Sequence, residues 1–204
     1  MPIGYFIAPG RDLAKSIERV RLAEQLGYDT VYVPHINTRD ALQVCMAFAC
    51  RTERIRVGTG VVPIYTRTPA TMAMEAATIA DASGGRLVLG LGVSHRPVVE
   101  QWHGQQIRKP VSEMREYTQM TRAMLAGEPV PEGQFWHSTF QLQAVGPFPE
   151  LPIVIAALSP NMLRLAGEIA DGVVLWLCSP QYVRDVVVPS VREGRERAGR
   201  TMEG

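Results

Sequence analysis

Apolar residues recur along this chain in two alternating rhythms. IGYFIA (3 to 8) is a short, nearly continuous apolar run, the pattern of a strand covered on both faces. Asp12 then stands where a helix cap belongs, ahead of Leu13, Ile17, Val20, Ala23 and Leu26 at helical spacing, and Gly27 stops the helix. The same order repeats. The pattern predicts strand DTVYVP (29 to 34), a helix from about Thr38 to Arg51, strand RIRVGTGVV (54 to 62) and a helix from Pro69 to Ser83. It continues with strand RLVLGLG (86 to 92), a helix from Ser112 to Ala126, strand PIVIAA (152 to 157), a helix over 160 to 170, strand GVVLWL (172 to 177) and a last helical stretch from Pro180. Thr68-Pro69, Ser159-Pro160 and Ser179-Pro180 each set a capping hydroxyl before a proline at the first helical position.

Strands alternating with helices mean βα units, a parallel sheet and right-handed crossovers. Two architectures satisfy this: an open doubly wound sheet and a barrel of the (β/α)8 TIM type. The first strand-to-helix turn, APGRD, has no GxGxxG fingerprint, which favours the barrel. Only six βα units are visible, whereas a complete barrel takes eight and about 250 residues. The expected fold is therefore an incomplete barrel over residues 1 to 204 as one domain, with its two C-terminal units missing. A fragment, a dimer and an exchanged segment all fit the two unpaired strand edges this leaves. Between 127 and 151 the rhythm breaks into a Gly- and Pro-rich stretch around QFWHSTFQLQ, which predicts a β-hairpin or excursion on the loop side.

Composition narrows the functional classes. A chain of 204 residues, 46% hydrophobic and 20% charged, is long enough to bury a substantial core. Its net charge of +1 offers no field for a nucleic-acid backbone, and REGRER near the end reads as a solvated helix face. Three cysteines, two of them five apart in an apolar segment, suit neither a disulfide framework nor a metal clip, so a reducing cytoplasm is expected. No basic leader precedes an apolar stretch, and no apolar run nears the ~20 residues that span a bilayer, so neither export nor a membrane is expected.

In a βα barrel chemistry gathers at the carboxyl ends of the strands. Here those ends carry Pro34-His35, Gly60-Val61-Val62-Pro63, Gly92-Val93-Ser94-His95-Arg96 and Ala156-Ala157-Leu158-Ser159-Pro160. His35 suits an acid, a base or a hydrogen-bond donor, and equally a structural imidazole satisfied by a carbonyl; His95 carries the same two readings. Ser159 either caps its own helix or helps that helix's free amides hold a phosphate or carboxylate. HExxH, G-x-S-x-G and Walker patterns and metal-ligand spacings are absent, so difficult chemistry would need a cofactor. GTG (58 to 60) and GLG (90 to 92), on adjacent strands, predict a glycine-lined floor for a flat ring.

These residues resemble a known family. GTGVVPIYTRTPATMAMEAATIADASGGRLVLGLGVSHRPVVE (58 to 100) and LPIVIAALSPNMLRLAGEIADGVVLW (151 to 176) are similar to the bacterial-luciferase-like superfamily, in particular its coenzyme F420-dependent (deazaflavin) oxidoreductases. That resemblance implies a (β/α)8 barrel with an excursion after the fourth helix, a dimer, a small-molecule substrate, and hydride transfer to or from a deazaflavin. It implies a cis peptide at Gly60-Val61, with Val62 following, behind the cofactor ring. Gly92, Val93, Ser94 and His95 would wrap the ring and its ribityl chain, and Ala156, Ala157, Leu158 and Ser159 would form a phosphate-binding turn. His35 matches a histidine near the reactive ring carbon, which makes it the candidate proton donor or acceptor and His95 a ring or substrate contact. Val93 stands where flavin-using members carry an arginine, which argues against FMN, and Pro34 replaces an acidic residue often found before that histidine. An FMN-dependent monooxygenase is the alternative enzyme, and a noncatalytic cofactor-binding barrel the alternative of another class.

Overall fold

A computed structural model describes residues 2 to 201. Its strands are β1 (Gly4–Phe6), β2 (Thr30–Val33), β3 (Arg56–Thr59), β4 (Val62–Pro63), β5 (Leu87–Gly92), β6 (Ile153–Ala156) and β7 (Gly172–Val174). They form one parallel sheet in the order β1-β2-β3-β5-β6-β7, with the two-residue β4 also on β5. The helices are α1 (Leu13–Gln25), α2 (Ala41–Ala49), α3 (Pro69–Ser83), α4 (Pro110–Ala126), α5 (Pro160–Ile169), α6 (Pro180–Tyr182) and α7 (Val188–Arg197). This is an incomplete TIM barrel, as the alternation predicts. The ends of the open wall approach each other at the mouth, where the rings of Phe6 and Trp176 lie 5.9 Å apart.

The core lies between sheet and helices. All six residues of β5 are buried, as befits a central strand covered on both faces. Leu87, Leu89, Leu91, Ile153 and Ile155 from the sheet are fully enclosed, as are Phe48, Met72 and Tyr117 from α2, α3 and α4. Caps fall where hydroxyls precede prolines. Thr68, Ser159 and Ser179 accept hydrogen bonds from the amides of Thr71, Met162 and Tyr182. At the amino end of the barrel, Arg86 donates to the carbonyls of Ser83, Ile55, Ala49 and Thr52, and the Glu24 carboxylate takes the amides of Glu53, Arg54 and Ile55. Both clamps belong to the face of the barrel that serves stability.

Three expectations are changed or narrowed by the structure. Residues 54 to 62 are not one strand: β3 stops at Thr59 and β4 resumes at Val62. The stretch at 127 to 151 is the excursion of the two alternatives and not the hairpin: no strand forms within it. It is pinned instead by the Glu116 carboxylate, which accepts from Phe135 and Trp136, and by Trp136 Nε1 donating to the Glu113 carbonyl. REGRER is only half solvated, because Gly194 is buried against α5 while Arg197 and Glu193 pair outside.

Candidate functional site

The break between β3 and β4 shapes the rim. Gly58 pairs with Val88, but Val62 pairs with Leu91, so three residues (59 to 61) face two (89 and 90) across the ladder. This is a bulge, and Thr59 repairs it: its buried hydroxyl accepts from the Gly90 amide at 2.8 Å and donates to the Gly90 carbonyl at 2.9 Å. The Gly60–Val61 peptide is cis. A Cβ on Gly90 would lie 2.0 Å from the Thr59 carbonyl oxygen, and one on Gly92 would lie 2.7 Å from Val61 Cγ2. The Tyr32 and Phe6 rings likewise fill the space beside Gly58 and Gly60. The glycines therefore do not leave the bare floor expected from GTG and GLG. They admit the bulged chain, and Val61, half-buried, covers Gly90 and Gly92. Val62 is buried behind it.

His35, just past β2, is held from one side. Its Nδ1 accepts the Ala41 amide at the start of α2, 3.2 Å away. Asp40 caps α2, its Oδ1 taking the amides of Leu42 and Gln43, while its Oδ2 lies 3.7 Å from His35 Nδ1 and pairs with Arg67 Nη2. Arg67 Nε reaches Glu75 Oε2 at 2.6 Å. The side chains of His35 and Arg67 are only 11% and 12% exposed, so the pairing matters electrostatically. Burial pushes the His35 pKa down and outweighs the opposite pull of Asp40; Arg67 and His103 push the same way as burial. Burial opposes charge on Asp40, but the Gln43 amide and the Arg67 guanidinium overcome it and hold that carboxyl below its usual range.

The other rim residues lie at the carboxyl ends of β5, β6 and β7. Val93 and Ser94 are half-buried after β5, with Ser94 left-handed at φ 58, and His95 is exposed. Ala156, which ends β6, is half-buried and the next residue, Ala157, is buried, whereas Leu158 and Ser159 are exposed. Tyr182 Oη donates to the Leu158 carbonyl at 2.6 Å, tying the end of β6 to α6. Since Pro160 has no N–H and Ser159 takes that of Met162, Asn161 keeps a free first-turn amide. Trp176 (62% exposed) and Leu177 (88% exposed) add apolar surface at the mouth. The donor set fits a group that is flat and apolar at one end and anionic at the other. Val61, Phe6 and Trp176 offer apolar faces, and Ser159 with the start of α5 offers a hydroxyl and an amide.

The structure brings His35, Val61 and the β6–α5 turn, all named from the sequence, to the carboxyl rim, and adds Asp40, Arg67 and Thr59, which the sequence did not single out. Asp40 was legible as the capping residue of a helix beginning at Ala41. Arg67 gave no signal, because only the fold carries the β4–α3 loop to the start of α2. Among the described residues no three His, Cys, Asp or Glu side chains gather as metal ligands do, and no helix is long and apolar enough to cross a membrane.

The profile of the family described as luciferase-like monooxygenase matches residues 1 to 204. A 5,10-methylenetetrahydromethanopterin reductase of Methanolobus tindarius is 33% identical over 205 residues, covering 98% of this chain and 61% of its own length. The coenzyme F420-dependent tetrahydromethanopterin reductase of Methanopyrus kandleri superposes with a TM-score of 0.89 at 27% identity, covering 98% of this chain and 62% of the other. A type II Baeyer-Villiger monooxygenase from Pseudomonas putida, solved with FMN, shares the fold at a TM-score of 0.82 and 20% identity, covering all of this chain and 64% of its own. The chain thus spans less than two thirds of the length of these relatives.

Proposed function

Because the chain belongs to the luciferase-like monooxygenase family, we propose that it carries the cofactor face of a coenzyme F420-dependent oxidoreductase acting on a small organic substrate. The observation that carries this reading is a nearly buried His35 at the end of β2, on the same carboxyl rim as the exposed Phe6 and Trp176 and the capped start of α5. Relatives named for coenzyme F420, with the fold shared at 27% identity, support the deazaflavin over FMN.

When bound, the deazaflavin supplies a hydride, two electrons with one hydrogen nucleus, for a substrate carbon. The chain's own residues do the rest. Val61, Phe6 and Trp176 would give the ring apolar surface and exclude water; Gly60, Val62, Gly92 and Val93 would shape the wall behind it. Ser94 and His95 would border the ring, and Ala156, Ala157, Leu158 and Ser159 would receive the anionic tail, with the α5 dipole in favour. His35 would present a ring nitrogen to the substrate heteroatom whose protonation accompanies the hydride.

Titrating the purified protein with coenzyme F420 and with FMN, by fluorescence quenching, tests the reading. Tighter binding of the deazaflavin is expected. Binding of FMN alone would instead favour an FMN-dependent monooxygenase, the alternative that the Pseudomonas fold-mate recommends. If the deazaflavin binds but no carbonyl, imine or alkene is turned over in either direction, the chain is a cofactor-binding protein and not a catalyst.

A further inference from the structure

We propose that the start of α2 holds His35 as the neutral tautomer with its proton on Nε2, and that Arg67 is a positioning residue which keeps Asp40 from drawing that proton to Nδ1. The atom that His35 meets is then a hydrogen-bond acceptor. This deepens the oxidoreductase reading above and rests on it for the identity of the reaction.

The geometry leaves one arrangement. A backbone N–H only donates, so the Nδ1 that receives the Ala41 amide at 3.2 Å presents a lone pair, and a neutral imidazole then carries its hydrogen on Nε2, on the side of the ring away from α2. The competing partner for a proton on Nδ1 is Asp40 Oδ2. At 3.7 Å it is beyond hydrogen-bond distance and is already paired with Arg67, while Oδ1 is occupied by the cap of α2. Arg67 is itself fixed by Glu75 Oε2 and by Thr66 Oγ1 at 3.2 Å, so it cannot swing off Asp40 without leaving both. The charged and titratable groups bearing on His35 are Asp40 from before α2, Arg67 from before α3 and His103 from beyond the π-helical turn at Pro97–Trp102. Burial of the ring disfavours its cation.

The consequence is a substrate class and a role for His35 as hydrogen-bond donor and not as base. An Nε2–H has no lone pair, so His35 cannot take a proton from an alcohol or amine without surrendering the Ala41 bond. It can donate to a carbonyl oxygen or an imine nitrogen. With such an acceptor the hydride adds to the carbon and the C=O or C=N π pair moves to the heteroatom. The Nε2–H stabilises the charge developing there, and a proton from solvent completes the alcohol or amine.

Two-bond ¹H–¹⁵N correlation spectra of the histidine rings, recorded on the purified protein without cofactor, test the assignment. Expected for His35 at neutral pH are an unprotonated Nδ1 and a protonated Nε2. In Arg67→Gln the midpoint should rise by about one pH unit and Nδ1 should gain hydrogen, as a freed carboxylate dictates; Arg67→Lys should restore much of the original behaviour. A protonated Nδ1 in the wild-type protein overturns the proposal without any variant, and so does an Arg67→Gln protein that folds yet leaves the His35 titration unmoved. Cofactor titration is a separate measurement, so failure of deazaflavin binding and failure of the tautomer remain distinguishable.

Discussion

Thr59 is a single hydroxyl that replaces part of a sheet. The bulge takes the Gly90 amide and carbonyl out of the ladder with β3, and the Thr59 side chain satisfies both. Thr59→Val keeps the shape but strands two buried groups, each worth about 1 to 3 kcal/mol, so a large drop in the urea midpoint is expected. Gly90→Ala should be worse, on the order of 4 kcal/mol, because its Cβ meets backbone and nothing there can yield; a soluble, wild-type-stable Gly90→Ala protein would refute the bulge geometry. His35 makes a pH prediction. Its folded pKa is below the ordinary 6.5, so the native state favours the neutral ring. That stabilisation is present above the unfolded value and is lost as pH falls through the folded one. Urea unfolding at steps between about pH 7 and pH 5 should show stability falling toward acid, and His35→Asn should flatten that limb. The lowered Asp40 pKa acts in the same direction at a lower pH, near the carboxylate range.

Elements are positioned by caps and by one close helix crossing. Ser159→Ala removes the α5 cap and should cost about 1 kcal/mol while weakening anion binding at the same turn, readable together as a melting shift and a phosphate titration. The crossing of α5 with α7 is nearly backbone to backbone. A Cβ on Gly167 would lie 2.2 Å from the Val191 carbonyl, and one on Gly194 would lie 2.0 Å from that of Arg164. Gly194→Ala should therefore push α7 outward and lower the melting temperature, although by propensity alone alanine favours a helix. The helices were legible because caps, prolines and periodicity are local signals. α3 ran from Pro69 to Ser83 as its pattern predicts. The crossing was not, because a glycine within REGRER says nothing of what lies opposite.

At the scale of the molecule, the sheet has two edges, β1 and β7, each with one strand partner. Unpaired edge groups exchange readily and invite a partner. Amide hydrogen exchange should be fastest in β1 and β7 and slowest in β5, whose residues are all buried; uniform protection would reject the open wall. We expect a homodimer, and light scattering on the eluting protein tests it, a monomer at all concentrations being the contrary result.

Periodicity, capping residues and the Ser/Thr-Pro junctions by themselves determined the βα alternation, the parallel sheet and the rim on which His35, Ser94, His95 and Ser159 stand, because each of these depends on neighbours within a few positions. Tertiary structure alone decided what the glycines of β3 and β5 admit, and that Arg67, held by Glu75, reaches Asp40 beside His35. Those contacts join residues 27 to 31 positions apart, or fix Nδ1 against a helix start, and no local preference encodes which atoms the closing of a barrel brings face to face.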